Sequence, residues 1–192
     1  MFLLRVSLVG SYFLDSFLSS HLLDSYDPTV PEATDAVDRI TAQWRRARPD
    51  LDPSPMEVIG RITRLSALIQ RELERVFADY ELAGGDFDVL ATLRRSGAPV
   101  TPGELSRSTM VTTGGMTKRL DRLEALGLIR RKSDPRDRRG RLIALTDNGR
   151  ALIDRALEAH LQNEERLLAN LPAAKREHLA ALLRELLTAL DA

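Results

Sequence analysis

Cysteine is absent from the 192 residues, and that absence removes a disulfide framework, a thiolate metal site and a cysteine nucleophile together. It also fits a reducing compartment such as the cytoplasm. Histidine is scarce. His21, His160 and His178 are scattered, without the short spacings that bring ligands onto one metal ion. We expect neither a metal nor any other cofactor. Outside the first 30 residues, where His21 follows Ser20, no histidine stands near a serine, and no acidic pair sits in a glycine-rich setting, so hydrolytic or nucleophilic machinery has no visible parts and an enzyme is not expected. Repeats and low-complexity tracts are missing too. No hydrophobic run is fit to span a bilayer: the first 30 residues are apolar and hydroxyl-rich, but Asp15 and Asp24 interrupt them. As a secretory signal the stretch is equally poor, with only Arg5 before the apolar part and no A-x-A site. A segment translated from upstream of the true start fits as well, and residues 1–30 are expected to be poorly ordered and outside the fold. No membrane partner is expected.

Net charge is also absent, since 28 lysines and arginines balance 28 aspartates and glutamates. The balance hides an asymmetry. From Arg94 to Arg141 there are 13 basic residues against 5 acidic ones, and the other 144 residues carry 15 and 23. A concentrated basic lobe on a neutral chain is the footprint of a face that meets a polyanion. Its densest part is SDPRDRRGRL at 133–142, with four arginines in ten positions. Pro135, Gly140 and the Asp134-Pro135 pair mark a turn, and IRRKS at 129–133 can pair with LIALT at 142–146 as a hairpin. Taken alone, the run reads as a solvated loop.

Its neighbours change that reading. Helical periodicity begins near Ala33, with Val37, Ile40 and Trp44 on one face, and RPDLDPSP at 48–55 ends it. Ser54-Pro55-Met56-Glu57 combines a serine N-cap, proline at N1 and glutamate at N3. The helix it opens runs to about Tyr80 with Ile59, Ile62, Leu65, Ile69, Leu73 and Val76 on one face. ELAGG breaks it, and FDVLATLRRSG makes a short helix stopping at Gly97. Thr101-Pro102-Gly103-Glu104 repeats the start signal and opens the short helix ELSRST. In GGMTKRLDRLEALGL, Met116, Leu120, Leu123 and Leu126 form a stripe expected to be buried, capped by Gly127. Thr146 starts a long helix after the hairpin. Pro172 opens a last one, with Leu179, Leu182, Leu183, Leu186, Leu187 and Leu190 on its apolar side.

Short helix, tight turn, basic helix and hairpin, in that order, are a winged helix-turn-helix. The basic helix carries Lys118, Arg119 and Arg122 beside Thr112, Thr113 and Thr117, donors suited to the acceptors of a major groove. The arginines of the hairpin, Arg136, Arg138 and Arg139, then sit where a wing reaches phosphates or a narrow minor groove. The glycines of TTGGMTK do not complete the G-x-x-x-x-G-K-[ST] phosphate loop. They fit better as room for the recognition helix to start close to DNA. A winged helix that binds protein is the competing class, but it has no need for four arginines at the wing tip.

The chain resembles the MarR family of transcriptional regulators over about residues 34–190. The resemblance is carried by FDVLATLRRSG at 87–97 and by ELSRSTMVTTGGMTKRLDRLEALGLIRRKSDPRDRRGRLIALTDNGR at 104–150. Within the latter, Asp137-Arg138-Arg139-Gly140 and the L-T-x-x-G that follows the wing are specific in combination. The resemblance implies a mainly α fold with a small β-hairpin wing, and a MarR-type domain over 34–192. Residues 34–80 and 147–192 would form a helical dimerisation region and 86–146 the winged helix-turn-helix. It also implies a homodimer on a pseudo-palindromic double-stranded DNA site. QWRRARPDLDPSPMEVIGRI at 43–62 is further similar to the branch that answers to urate or small carboxylates. That similarity assigns Trp44, Asp88, Arg107 and Arg119 to effector binding.

Overall fold

A computed structural model describes residues 35–109, 115–135, 137 and 140–191. The apolar segment 1–30 lies outside the described residues. The elements are helix α1 (Ala36–Ala47), α2 (Ser54–Ala78), α3 (Gly84–Ser96), α4 (Pro102–Ser108) and α5 (Met116–Ala125). Strands β1 (Ile129–Ser133) and β2 (Arg141–Leu145) follow, then α6 (Asp147–Leu167) and α7 (Ala173–Asp191). The fold is mainly helical with one small antiparallel hairpin. It divides into two compact units, one ending at Leu68 and the other starting at Ile69, within α2.

In the first unit, Asp35 caps α1. Its carboxylate accepts from the N–H groups of Val37 and Asp38 at 2.7 and 3.0 Å, and Asp38 accepts from the Asp35 N–H at 3.2 Å. At the start of α2 the acceptor is Asp52 rather than the expected Ser54. Ser54 is already helical and gives Asp52 both its N–H, at 2.9 Å, and its hydroxyl, at 2.7 Å, because a carboxylate is the stronger acceptor. The two helices fold back on each other. Arg61 of α2 pairs with Asp35 at 2.8 Å and with Asp38, and Arg45 of α1 pairs with Glu57. Gly60 lets them approach, since a Cβ there would meet Val37 Cγ1 at 3.2 Å.

The second unit is built on α3. That helix begins at Gly84, three residues before the FDVL run, so Gly84 and Gly85 are helical and the chain turns instead at Glu81, with φ 57°. Ala83 has no side-chain acceptor to offer as N-cap. Asp86 supplies the other half of the cap, its carboxylate accepting from the Ala83 N–H at 3.1 Å. Gly97, with φ 67°, ends the helix. In α4 the Thr101 hydroxyl accepts from the Glu104 N–H at 3.2 Å while the Glu104 carboxylate accepts from the Thr101 N–H at 2.8 Å.

Met116, Leu120 and Leu123 of α5 are buried, but Leu126 is 50% exposed, against expectation. The reason is the turn. Gly127, with φ 68°, lets the Leu128 N–H reach Leu123 O at 3.0 Å, and Leu128 fills the core in place of Leu126. Thr146 is likewise not in the strand. Its hydroxyl accepts from Gly149 at 3.0 Å as the N-cap of α6 and donates to Gly127 O at 2.6 Å.

In the hairpin Ile129 lies opposite Leu145 and Arg131 opposite Ile143, and Val100 adds a bridge to Ile143. Leu90, Leu105, Leu123, Ile129, Ile143 and Ile153 are fully buried, so α3 to α6 and the strands share one core. Phe77 stacks on Phe87 at 4.4 Å, and His160 covers Phe87 at 4.8 Å. Other apolar side chains find no cover among the described residues. Ile59, Leu65 and Ile69 of α2 are exposed, α7 buries no residue, and Leu182, Leu187 and Leu190 face outward.

Candidate nucleic-acid interface

The apolar stripe of α5 turns inward, leaving Thr117, Lys118 and Asp121 on its exposed side. Its charges are mostly committed. Among the described residues Lys118 is the one charged side chain of α5 without an ion pair. Arg119 and Arg122 both turn to Asp86, whose carboxylate is 3% exposed. Arg122 Nη1 donates to Oδ2 at 2.5 Å, its Nη2 donates to Glu81 O at 3.3 Å, and Arg119 Nε lies 3.5 Å from Oδ1. The Arg119 guanidinium lies against Gly85, where a Cβ would fall 2.3 Å from its Cζ. Arg119 Nη1 is buried and meets no acceptor among the described residues. An orphaned guanidinium N–H is a costly feature unless something else accepts from it.

Asp88 is half-buried on α3. Burial pushes its carboxyl above the ordinary aspartate value, and the positive fields of Arg119, Arg95 and His160 oppose the rise. Among the described residues it forms no direct ion pair. Arg107 runs back along its own helix, Nη1 lying 3.7 Å from where a Cβ on Gly103 would be. Trp44, on α1 of the first unit, is 37% exposed. Of the candidate residues, the structure brings Arg119 and Arg122 together on Asp86, with Asp88 in the electrostatic reach of Arg119. Thr112, Thr113, Arg136, Arg138 and Arg139 lie outside the described residues.

Sequence reading missed Asp86, Gly85 and Arg131. An aspartate three positions into a helix is a signal for a capping carboxylate, but only once the helix is seen to start at Gly84. Arg131 of β1 reaches α5, donating to Asp121 and to Glu124 at 2.5 Å each. At the wing turn, the Asp134 N–H donates to Gly140 O at 3.2 Å and the Gly140 N–H to Asp137 O at 2.9 Å. Arg130, Lys132 and Arg141 are exposed on the strands.

No group of His, Asp and Glu among the described residues could hold a metal ion. No helix among them is long and apolar enough to cross a membrane. The groups exposed on α5 and the hairpin are mostly cations and hydroxyls, suited to holding an anionic surface in place.

Comparison with known proteins agrees with this geometry. The signature of the MarR family matches residues 80–140. The HTH-type transcriptional regulator PecS of Dickeya dadantii is 47% identical over 149 residues, covering 77% of this chain and 90% of PecS. A mutant MarR from E. coli, solved in complex with operator DNA, superposes with a TM-score of 0.63 at 28% identity, over 70% of this chain and 96% of that one. Bordetella bronchiseptica BpsR, whose DNA binding is regulated by 6-hydroxynicotinic acid, superposes with a TM-score of 0.61 at 26% identity, over 67% of this chain and 91% of its own. With capped α4, basic α5 and the hairpin arranged as described, the chain belongs to the MarR family of winged-helix transcriptional regulators.

Proposed function

We propose that the chain is a homodimer that binds a pseudo-palindromic DNA duplex and leaves it when a small anionic or aromatic effector binds. The observation that carries this reading is α5 itself, which buries its leucines, faces outward with Thr117 and Lys118 and is flanked by the basic hairpin. Thr112, Thr113, Thr117 and Lys118 would meet base edges or phosphates, Arg122 would do so when it leaves Asp86, and Arg136, Arg138 and Arg139 would hold the flanking backbone. The exposed leucines of α7 support the dimer, because an apolar face of that length is seldom left to solvent.

For the effector we propose Trp44, Asp88, Arg107 and Arg119, with urate or a small carboxylate as the ligand class. An anion needs a cationic donor, and the buried Nη1 of Arg119 has no acceptor of its own among the described residues. Asp88 would accept from a ligand N–H or act as a resting counter-charge. Because Arg119 belongs to α5, a ligand that captures it acts on the element that meets DNA. To matter, the ligand must prefer the DNA-free arrangement by a few kcal/mol.

Footprinting tests the first part. Two protected half-sites centred one helical turn apart, about 34–36 Å, are expected, and protection of one half-site alone counts against the dimer reading. Failure to bind any duplex would leave a protein-binding winged helix. For the second part, urate and citrate are titrated against the DNA complex of wild type, Trp44→Phe and Asp88→Asn. Unchanged release in both variants by a ligand active on wild type moves the effector site elsewhere.

A further inference from the structure

The hairpin places three basic residues in a row, Arg130, Arg131 and Lys132, and period-two alternation separates them. Arg131 shares its face with Ile129 and Ile143, which are buried, whereas Arg130 and Lys132 are exposed on the other face. Its guanidinium donates to Asp121 Oδ1 and to Glu124 Oε2, both at 2.5 Å, and its backbone N–H donates to Glu124 Oε1 at 3.2 Å. The side chain is 29% exposed. Asp121 and Glu124 are the two acidic residues of α5, the helix that would face a polyanion. A planar fork that bridges two carboxylates on successive turns is a task for arginine rather than lysine.

We propose that Arg131 is a positioning residue for DNA binding: it fastens the wing strand β1 to α5 and cancels the two carboxylates of α5, and it does not touch the duplex itself. This rests on the DNA-binding reading above. Without Arg131, two uncompensated negative charges stand beside Lys118 on the outward side of the helix, where they oppose phosphates. The wing also loses this side-chain tie to α5, so the two elements meet a duplex in a less fixed arrangement. A basic residue of the positive lobe thus works by neutralising acids.

The experiment is a double-mutant cycle measured as duplex affinity. Arg131→Ala is placed in wild type and in an Asp121→Asn, Glu124→Gln background. Arg131→Ala is expected to weaken binding about tenfold in wild type and less than about twofold in the neutralised background, because its partners are already gone. An equal loss in both backgrounds means that Arg131 contacts DNA directly and overturns the proposal. Amide hydrogen exchange over Ile129–Ser133 reads the tie without DNA: faster exchange in Arg131→Ala is expected, and unchanged exchange overturns the tie. Absence of duplex binding by wild type would overturn the DNA reading itself, which the exchange measurement does not share.

Discussion

Arg122 of α5 donates to the buried carboxylate of Asp86 on α3 at 2.5 Å, across 36 residues of sequence. Arg119 attends the other oxygen, so one carboxylate serves two cations. Removing it leaves both without an acidic partner, although Arg122 keeps its bond to Glu81 O and, half-exposed, can turn to water. Asp86→Ala should therefore cost about 2 kcal/mol, less than the loss of a fully buried pair, read by urea unfolding. A cost near zero would mean that the clasp does not hold α5 in place.

Two glycines should respond differently to alanine. At Gly85 the added Cβ meets the Arg119 guanidinium, the far end of a flexible side chain. Gly85→Ala should change stability by less than about 1 kcal/mol while displacing Arg119 from Asp86. At Gly149 the Cβ would fall 1.9 Å from the Leu128 carbonyl oxygen, and neither backbone can yield. Gly149→Ala should cost about 3 kcal/mol or more. Thermal melts of the two variants decide, and equal losses would contradict the contrast.

Asp88 gives a dependence on pH. Burial raises its pKa in the fold, so the native chain holds the proton more tightly than the unfolded chain does. Its contribution to stability is full below the ordinary aspartate value and is lost as pH rises through the raised native value. Asp88→Asn should accordingly match wild type in acid and melt about 1–2 °C higher at pH 7, a small gain because the group is only half-buried. A lower melting point at pH 7 would show that Arg119, Arg95 and His160 outweigh burial.

Much of the architecture was legible in residue patterns. Thr101 with Glu104, Gly97, Gly127 and Thr146 mark helix ends through local chemistry, and IRRKS and LIAL mark the hairpin. What escaped depends on long-range packing. Asp86 and Asp88 are two positions apart on one helix, and periodicity alone does not say which of them faces α5. Placing the helix start at Phe87 hid Asp86 in an apparent break. Leu126 obeys the stripe of α5 yet is exposed, because the turn at Gly127 hands its place to Leu128. Arg131 looked like one more wing cation until the strand register set it beside Ile129.

The wing arginines should govern affinity more than sequence choice. Arg138→Ala with Arg139→Ala is expected to weaken specific and random duplexes alike, and to flatten the slope of log K against log salt by about 2. Loss confined to the specific duplex, with the slope unchanged, would mean that the wing reads bases.

The leucine face of α7 should hold two copies together. Wild type is expected to sediment as a dimer at micromolar concentration. Leu183→Glu with Leu187→Glu, which places two charges in an apolar contact, should give a folded monomer. A wild-type monomer would sink the dimer, and an unaffected dimer would move the interface away from α7.

The hydroxyl of Thr146 has a mechanical meaning. It joins the end of α5, through Gly127 O, to the first turn of α6, and Gly149 leaves no space for even a methyl group against Leu128 at the same joint. A joint without slack cannot act as a hinge. Movement of α6 is therefore expected to carry the end of the basic helix with it.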